Sequence, residues 1–136
     1  AVSDAERATI ANDVRADLVV SLHTDWHLST KAHGVATYYF GSARTKSELG
    51  ARLAEIIQGN ITSRTDLVNC HTQPKTWDLL RLTRMPTVRV EVGYLSHSGD
   101  AGRLAQPRFR DTLAEAVAAS AVSFFSPLAT RSADGE

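Results

Sequence analysis

Hydrophobic and polar positions along the chain divide it into short, clearly bounded segments. Ser3 followed by Glu6 has the form of a capping box, and Ala8, Ile10, Ala11 and Val14 give an apolar stripe, predicting a helix from about Asp4 to Ala16. The run Leu18 to His23 is too short for a helix and rich in β-branched residues, which predicts a buried strand with His23 at its C-terminal tip. From Thr24 to Gly34 the sequence is polar and mixed, a loop that carries His27 and His33. Val35 to Phe40 has strand propensity and closes at Gly41 and Ser42.

Leu49, Leu53, Ile56, Ile57 and Ile61 fall on one helical face opposite Glu48, Arg52 and Glu55, so an amphipathic helix follows. Thr62 to Trp77 shows no period and reads as a loop, and Leu79 to Leu82 as a short strand before Met85 and Pro86. Val88 to Val92 alternates strictly and predicts a strand with Arg89 and Glu91 on one face. Ser96 and Asp100 are expected to cap a helix after Gly99, and Phe109, Leu113, Ala116, Val117 and Phe124 define a closing helix. The expected organisation is one domain over residues 1–126 and a polar tail over 127–136. Alternating helices and strands imply an α/β domain with a mostly parallel sheet flanked by helices, whose ligand sites lie at the C-terminal ends of strands.

Composition narrows the chemistry. Fifteen basic residues balance fifteen acidic ones, which removes the broad positive field expected of a nucleic-acid binder. No apolar stretch is long enough to span a membrane. Cys70 is the single cysteine, so a thiolate cluster cannot form within one chain, and any metal must sit on histidines and carboxylates. Cys70 itself reads as an inert thiol. There is no G-x-S-x-G, phosphate-binding glycine loop or paired-cysteine motif.

His23 and Glu91 occupy or closely follow strand ends. A lone histidine there more often makes one hydrogen bond than a metal bond, and a zinc role requires further ligands. His27, His33, His71 and His97 read as solvated loop residues. Glu91 is a carboxylate where the strand pattern calls for burial, a placement tolerated either for function or for an ion pair with Arg89, its neighbour on the same face.

Three stretches taken together resemble the zinc-dependent N-acetylmuramoyl-L-alanine amidases of the amidase-3 type. They are Glu6-Arg7-Ala8 through to Ser21-Leu22-His23, then Leu79 to Val88, then Val90-Glu91-Val92-Gly93-Tyr94-Leu95-Ser96 followed by Asp100. The resemblance implies that His23 is a Zn2+ ligand and Glu91 the general base in hydrolysis of the amide joining N-acetylmuramic acid to the L-alanine of the stem peptide. It also implies a peptidoglycan or muropeptide substrate and an extracytoplasmic, cell-wall location. The family's D-P-G-H-G-type motif and a later glutamate ligand have no counterpart in this sequence. The expectation is therefore a partial amidase domain without the N-terminal strand and helix, its exposed edge covered by that segment or by self-association. Further departures are Thr24-Asp25 where the family has Ala-Asn, Ser96-His97 where it has Ser-Asn, and Arg89 in place of an aliphatic residue. The stretch from Trp77 to Pro86 is similar to actinobacterial amidase-like proteins, some of which act as regulators. That similarity implies the alternative of a non-catalytic, cytoplasmic regulatory or binding module of cell-wall synthesis.

Overall fold

A computed structural model describes residues 1–126, so the polar tail expected over 127–136 lies outside the described residues. The elements in chain order are α1 (Asp4–Asp13), β1 (Val19–Asp25), β2 (Val35–Phe40), α2 (Glu48–Arg64), β3 (Asn69–Lys75), α3 (Asp78–Leu82), β4 (Thr87–Tyr94), α4 (Ser98–Leu104) and α5 (Pro107–Phe124). The four strands form one sheet in the order β1-β4-β2-β3. β1 runs parallel to β4 and β2 parallel to β3, while β2 and β4 are antiparallel. The architecture is the expected α/β one, with a mostly parallel sheet flanked by helices.

β4 lies inside the sheet, and its alternation decides where everything else packs. Val88, Val90 and Val92 project to the face covered by α2 and α5, joining Val35, Leu53, Ile57, Ile61, Leu113 and Ala116 in the core. Arg89 and Glu91 project to the other face, as their pattern predicts. Inside the core, Gln58 of α2 carries a buried polar network. Its amide donates to the Val35 carbonyl and to Asn69 Oδ1, each at 2.8 Å, and its oxygen accepts from the Thr37 hydroxyl at 2.9 Å. The helix is thereby locked to β2 and β3 with no buried amide group left unpaired.

Several local expectations are overturned. The stretch Thr62 to Trp77 is not a loop: α2 continues to Arg64, and β3 follows. β3 escaped the pattern because it is an edge strand of mostly polar residues, and Pro74 is tolerated there since an edge leaves an N–H position unused. Leu79 to Leu82 forms part of the short helix α3 rather than a strand. Leu79 and Leu80 are buried on one side of it, and Asp78 pairs with Arg81 at 2.7 Å one turn on. The capping box of α1 is formed, with Ser3 Oγ accepting from the Glu6 N–H at 3.1 Å and Glu6 Oε2 accepting from the Ser3 N–H at 3.1 Å. The helix stops at Asp13, short of Ala16, because Arg15 turns left-handed at φ 53°. Ile10 and Val14, expected on the packed stripe, are exposed, and only Ala8 and Ala11 of α1 are buried.

The N-terminus of α4 also differs. His97 is the cap, its Nδ1 accepting from the Asp100 N–H at 3.1 Å, while the Ser96 hydroxyl instead accepts from the His27 N–H at 2.9 Å. The buried Asp100 carboxylate has a different duty. Its Oδ2 accepts from the N–H groups of Gly34 at 2.8 Å and Tyr94 at 3.0 Å, clasping the start of β2 to the end of β4. Gly34 can enter this clasp only without a side chain, since its φ is +109° and a Cβ would stand 2.5 Å from the Val68 carbonyl oxygen. Gly34→Ala is therefore expected to cost at least about 1–3 kcal/mol of stability from backbone strain alone. Urea denaturation followed by circular dichroism checks this, and an unchanged midpoint would contradict it.

Candidate active site

Pairing of the two parallel strands β1 and β4 sets His23 directly beside Glu91, and Ser21 beside Arg89. Strand alternation then puts all four side chains on the sheet face opposite the core. His23 Nε2 shares a 2.7 Å hydrogen bond with the Ser21 hydroxyl. Partial burial, with Arg89 and Arg7 nearby, lowers the pKa of His23, which favours the neutral imidazole that a metal requires.

Glu91 is buried at 8% exposure, and its pKa is pushed up to about 7. Loss of water is the largest cause, followed by the hydrogen bond to Asp25 and that residue's negative charge, while Arg89 works in the opposite direction. Asp25 moves the other way, lowered chiefly by the hydrogen bond from Glu91 and helped by the Trp26 N–H at 2.7 Å. The two carboxyls are thus pushed in opposite directions, Glu91 toward its protonated form and Asp25 toward its ionised form. Arg89 Nε lies 3.2 Å from Glu91 Oε1 without the alignment of a hydrogen bond. The guanidinium rests 5.2 Å from the centre of the Trp77 ring.

A hollow of about 110 Å³ opens beside Glu91, lined also by Tyr38, Tyr94, Gln73, Cys70 and Gly34. Burial and Glu91 push the Tyr38 phenol up to about 12, so it stays protonated and can donate. Cys70 has its thiol pKa raised by burial and then by Asp100, and it donates to the His33 carbonyl at 3.3 Å, in keeping with an unreactive thiol. A larger hollow of about 350 Å³ lies at the opposite end of the sheet near Phe40 and Pro86, away from His23, Asp25 and Glu91. Size alone does not mark the reactive site here.

The other histidines stay apart from His23. The His27 ring accepts from the Ser29 N–H within its loop, whereas His71, expected in a loop, lies exposed within β3 at a left-handed bulge. His33 and His97 are not simply solvated, since their rings stack with centres 4.4 Å apart. Among the described residues, no group of three or more His, Cys, Asp or Glu side chains stands where it could hold a metal ion. Catalytic zinc takes about three protein ligands, so the described residues do not by themselves fit one.

The profile of the N-acetylmuramoyl-L-alanine amidases matches residues 1–122. This chain belongs to that amidase family. It is 46% identical over 119 residues to the N-acetylmuramoyl-L-alanine amidase CwlM of Mycobacterium tuberculosis, covering 87% of this chain and 29% of that protein. With LytC of Bacillus subtilis it shares 28% over 123 residues, 88% of this chain and 24% of the relative. The chain therefore spans less than a third of either relative. Among solved structures, an N-acetylmuramoyl-L-alanine amidase from Clostridium difficile 630 superposes with a TM-score of 0.84 at 26% identity, covering 91% of this chain and 66% of that one. AmiC2 of Nostoc punctiforme superposes at 0.79 with 29% identity, covering 88% and 63%. The amidase fold is common to all of them.

Asp25 is the residue of this amidase-family site that sequence patterning did not single out as functional. Its signal was present: on a strand, the second residue after His23 is directed toward the same face. The raised pKa of Glu91 has a measurable consequence. Glu91 keeps its proton to higher pH folded than unfolded, so between its ordinary 4.5 and about 7 the folded chain binds more protons, and stability falls as pH rises. The lowered pKa of Asp25 acts only in acid, where stability is lost as pH falls below the ordinary 3.8. His23, whose lowered pKa acts in the opposite sense, is present in both chains, so the informative quantity is the parent's denaturant midpoint relative to that of Glu91→Gln, which should decline between about pH 5 and about pH 8. A difference that is flat or rising over that window would contradict the raised Glu91 pKa.

Proposed function

We propose that this chain forms part of a peptidoglycan amidase site in which Glu91 is the proton-transfer group and His23 a zinc ligand. The bond cut joins the lactyl group of N-acetylmuramic acid to the L-alanine of the stem peptide. The observation that carries this reading is the juxtaposition of His23 and Glu91 on adjacent parallel strands, with the Glu91 pKa near neutrality. A general base works best when its pKa lies near the working pH. Ionised Glu91 takes a proton from the water that attacks the amide carbonyl carbon, then delivers it to the leaving nitrogen as the C–N bond breaks. Asp25 stands beside Glu91 and raises its proton affinity, and Tyr38 stands ready as a neutral donor. Two further metal ligands would come from outside the described residues, and zinc when bound supplies Lewis acidity toward carbonyl and water. The substrate class supports a cell-wall location, and none of the described helices is long and apolar enough to cross a membrane.

A specific observation favours a second reading. Arg89 pairs with Glu91, which can pin the carboxylate and keep it from acting as a base, as expected of a non-catalytic module that binds its ligand without cleaving it. Zinc analysis and peptide release from purified peptidoglycan by the intact protein separate the two. For the enzyme, zinc is stoichiometric and lost in His23→Ala, while Glu91→Gln keeps zinc but slows release by about 10²–10⁴-fold. Muropeptide binding with neither zinc nor peptide release establishes the second reading. In either case the 136 residues alone should hold no stoichiometric zinc at roughly micromolar metal.

β1 forms an edge of the sheet, and Leu22 and Trp26 on or beside it are exposed. Such an edge invites another strand. We propose that it is covered by a strand from outside these 136 residues or by a second copy of the chain. Size-exclusion chromatography with light scattering checks this: the isolated chain is expected to self-associate or to retain a co-purifying segment, and a stable monomer with a cooperative melt would refute it.

A further inference from the structure

The sheet face that carries Glu91 continues away from it into a row of cationic and aromatic side chains. Register sets Tyr38 opposite Arg89 of β4 and Gln73 of β3, and sets Phe40 opposite Lys75, so these residues share that face. Trp77, just beyond β3, joins them. The Arg89 guanidinium lies 5.2 Å and the Lys75 ammonium 5.5 Å from its ring centre, and the Tyr38 ring packs against it at 4.9 Å. Lys75 also stands 5.7 Å from the Tyr38 ring.

Positive charge here is not balanced. Arg89 has Glu91 beside it at 3.2 Å, but its buried Nε has no aligned acceptor. Lys75 makes no ion pair with any described carboxylate. The aromatic rings hold both cations in place without neutralising them. A cation fixed in this way beside a reactive carboxyl is suited to receive an anionic group of the ligand.

We infer that Lys75, Trp77 and Arg89 form a subsite for a carboxylate on the peptide arm of the ligand. The inference rests on the muropeptide reading above and names a part of the ligand which that reading leaves open. Arg89 precedes Glu91 by two residues on β4, roughly 6.6 Å along the strand, and Lys75 lies two strands across, about 10 Å from β4. An extended peptide advancing about 3.3 Å per residue reaches this row within two to four residues of the bond held at Glu91. The acidic residue that follows alanine in a stem peptide falls within that range. Arg89 and Lys75 thus favour an acidic peptide.

Isothermal titration of the 136-residue chain with two probes tests the subsite. One is a muramyl tripeptide whose D-glutamyl α-carboxyl is free, and the other is the same compound with that carboxyl amidated. The free acid is expected to bind roughly tenfold more tightly, the effect of one charge-assisted contact. Lys75→Met and Arg89→Leu should each bring the two forms to within about twofold of each other, with Arg89→Lys recovering part of the difference. Melting curves accompany every variant, and should Arg89→Leu not fold, Lys75→Met on the edge strand decides. Equal binding of both forms by the parent, or a preference unchanged in the variants, overturns the subsite and leaves the muropeptide reading standing. Absence of binding by either form likewise overturns the subsite, while the muropeptide reading is decided separately by the intact protein's zinc content and peptide release.

Discussion

The alternation of β4 inside the sheet is the constraint from which the rest follows. One face of the strand must satisfy α2 and α5, and three valines do so at every second position. The intervening positions are then forced to the other face, where Arg89 and Glu91 stand in register with Ser21 and His23 on one side and with Tyr38 and Ala36 on the other. A shift of one residue in the β4 pairing would place both charges in the hydrophobic core, a cost far above the few kcal/mol by which a domain of this size is stable. Register and chemistry are specified by the same valines.

Burying Glu91 beside Asp25 sets two carboxyl groups against each other in a water-poor place. The conflict raises the Glu91 pKa and lowers that of Asp25, with Arg89 limiting how far the Glu91 pKa rises. Arg89 is itself anchored on Trp77, so an aromatic ring reached through β3 bears on the proton affinity of a residue on β4. The protonation behaviour therefore belongs to the whole polar face.

Legibility of the sequence followed how strongly each segment is buried. Val88 to Val92 could be read because a two-sided interior strand has a strict alternation, and α2 because its buried face is continuous. β3 could not, since an edge strand of Asn, His, Thr, Gln and Pro carries no apolar period, and its pairing with β2 is supplied by tertiary context. α3 was mistaken for a strand because five residues are too few to display a helical period. His23 and Glu91 were legible as candidates and in their spatial order. The influence of Asp25 on Glu91 was not, because it depends on a cross-strand approach. The Asp100 clasp was likewise hidden, as an acidic residue near a helix start reads most simply as a cap.

The segment between β1 and β2 is fastened at both ends. The Asp25 carbonyl accepts from the Leu95 N–H at 2.8 Å, and the Gly34 N–H is held by Asp100. Between these two rivets the chain from Trp26 to His33 is largely exposed, with the Leu28 side chain 87% open to water. Closing a longer loop between fixed anchors adds only about 0.6 kcal/mol per doubling of length. Evolution or an engineer can therefore graft insertions into this overhang, changing what the rim of the cleft recognises, while the anchored strands keep His23 and Glu91 in place.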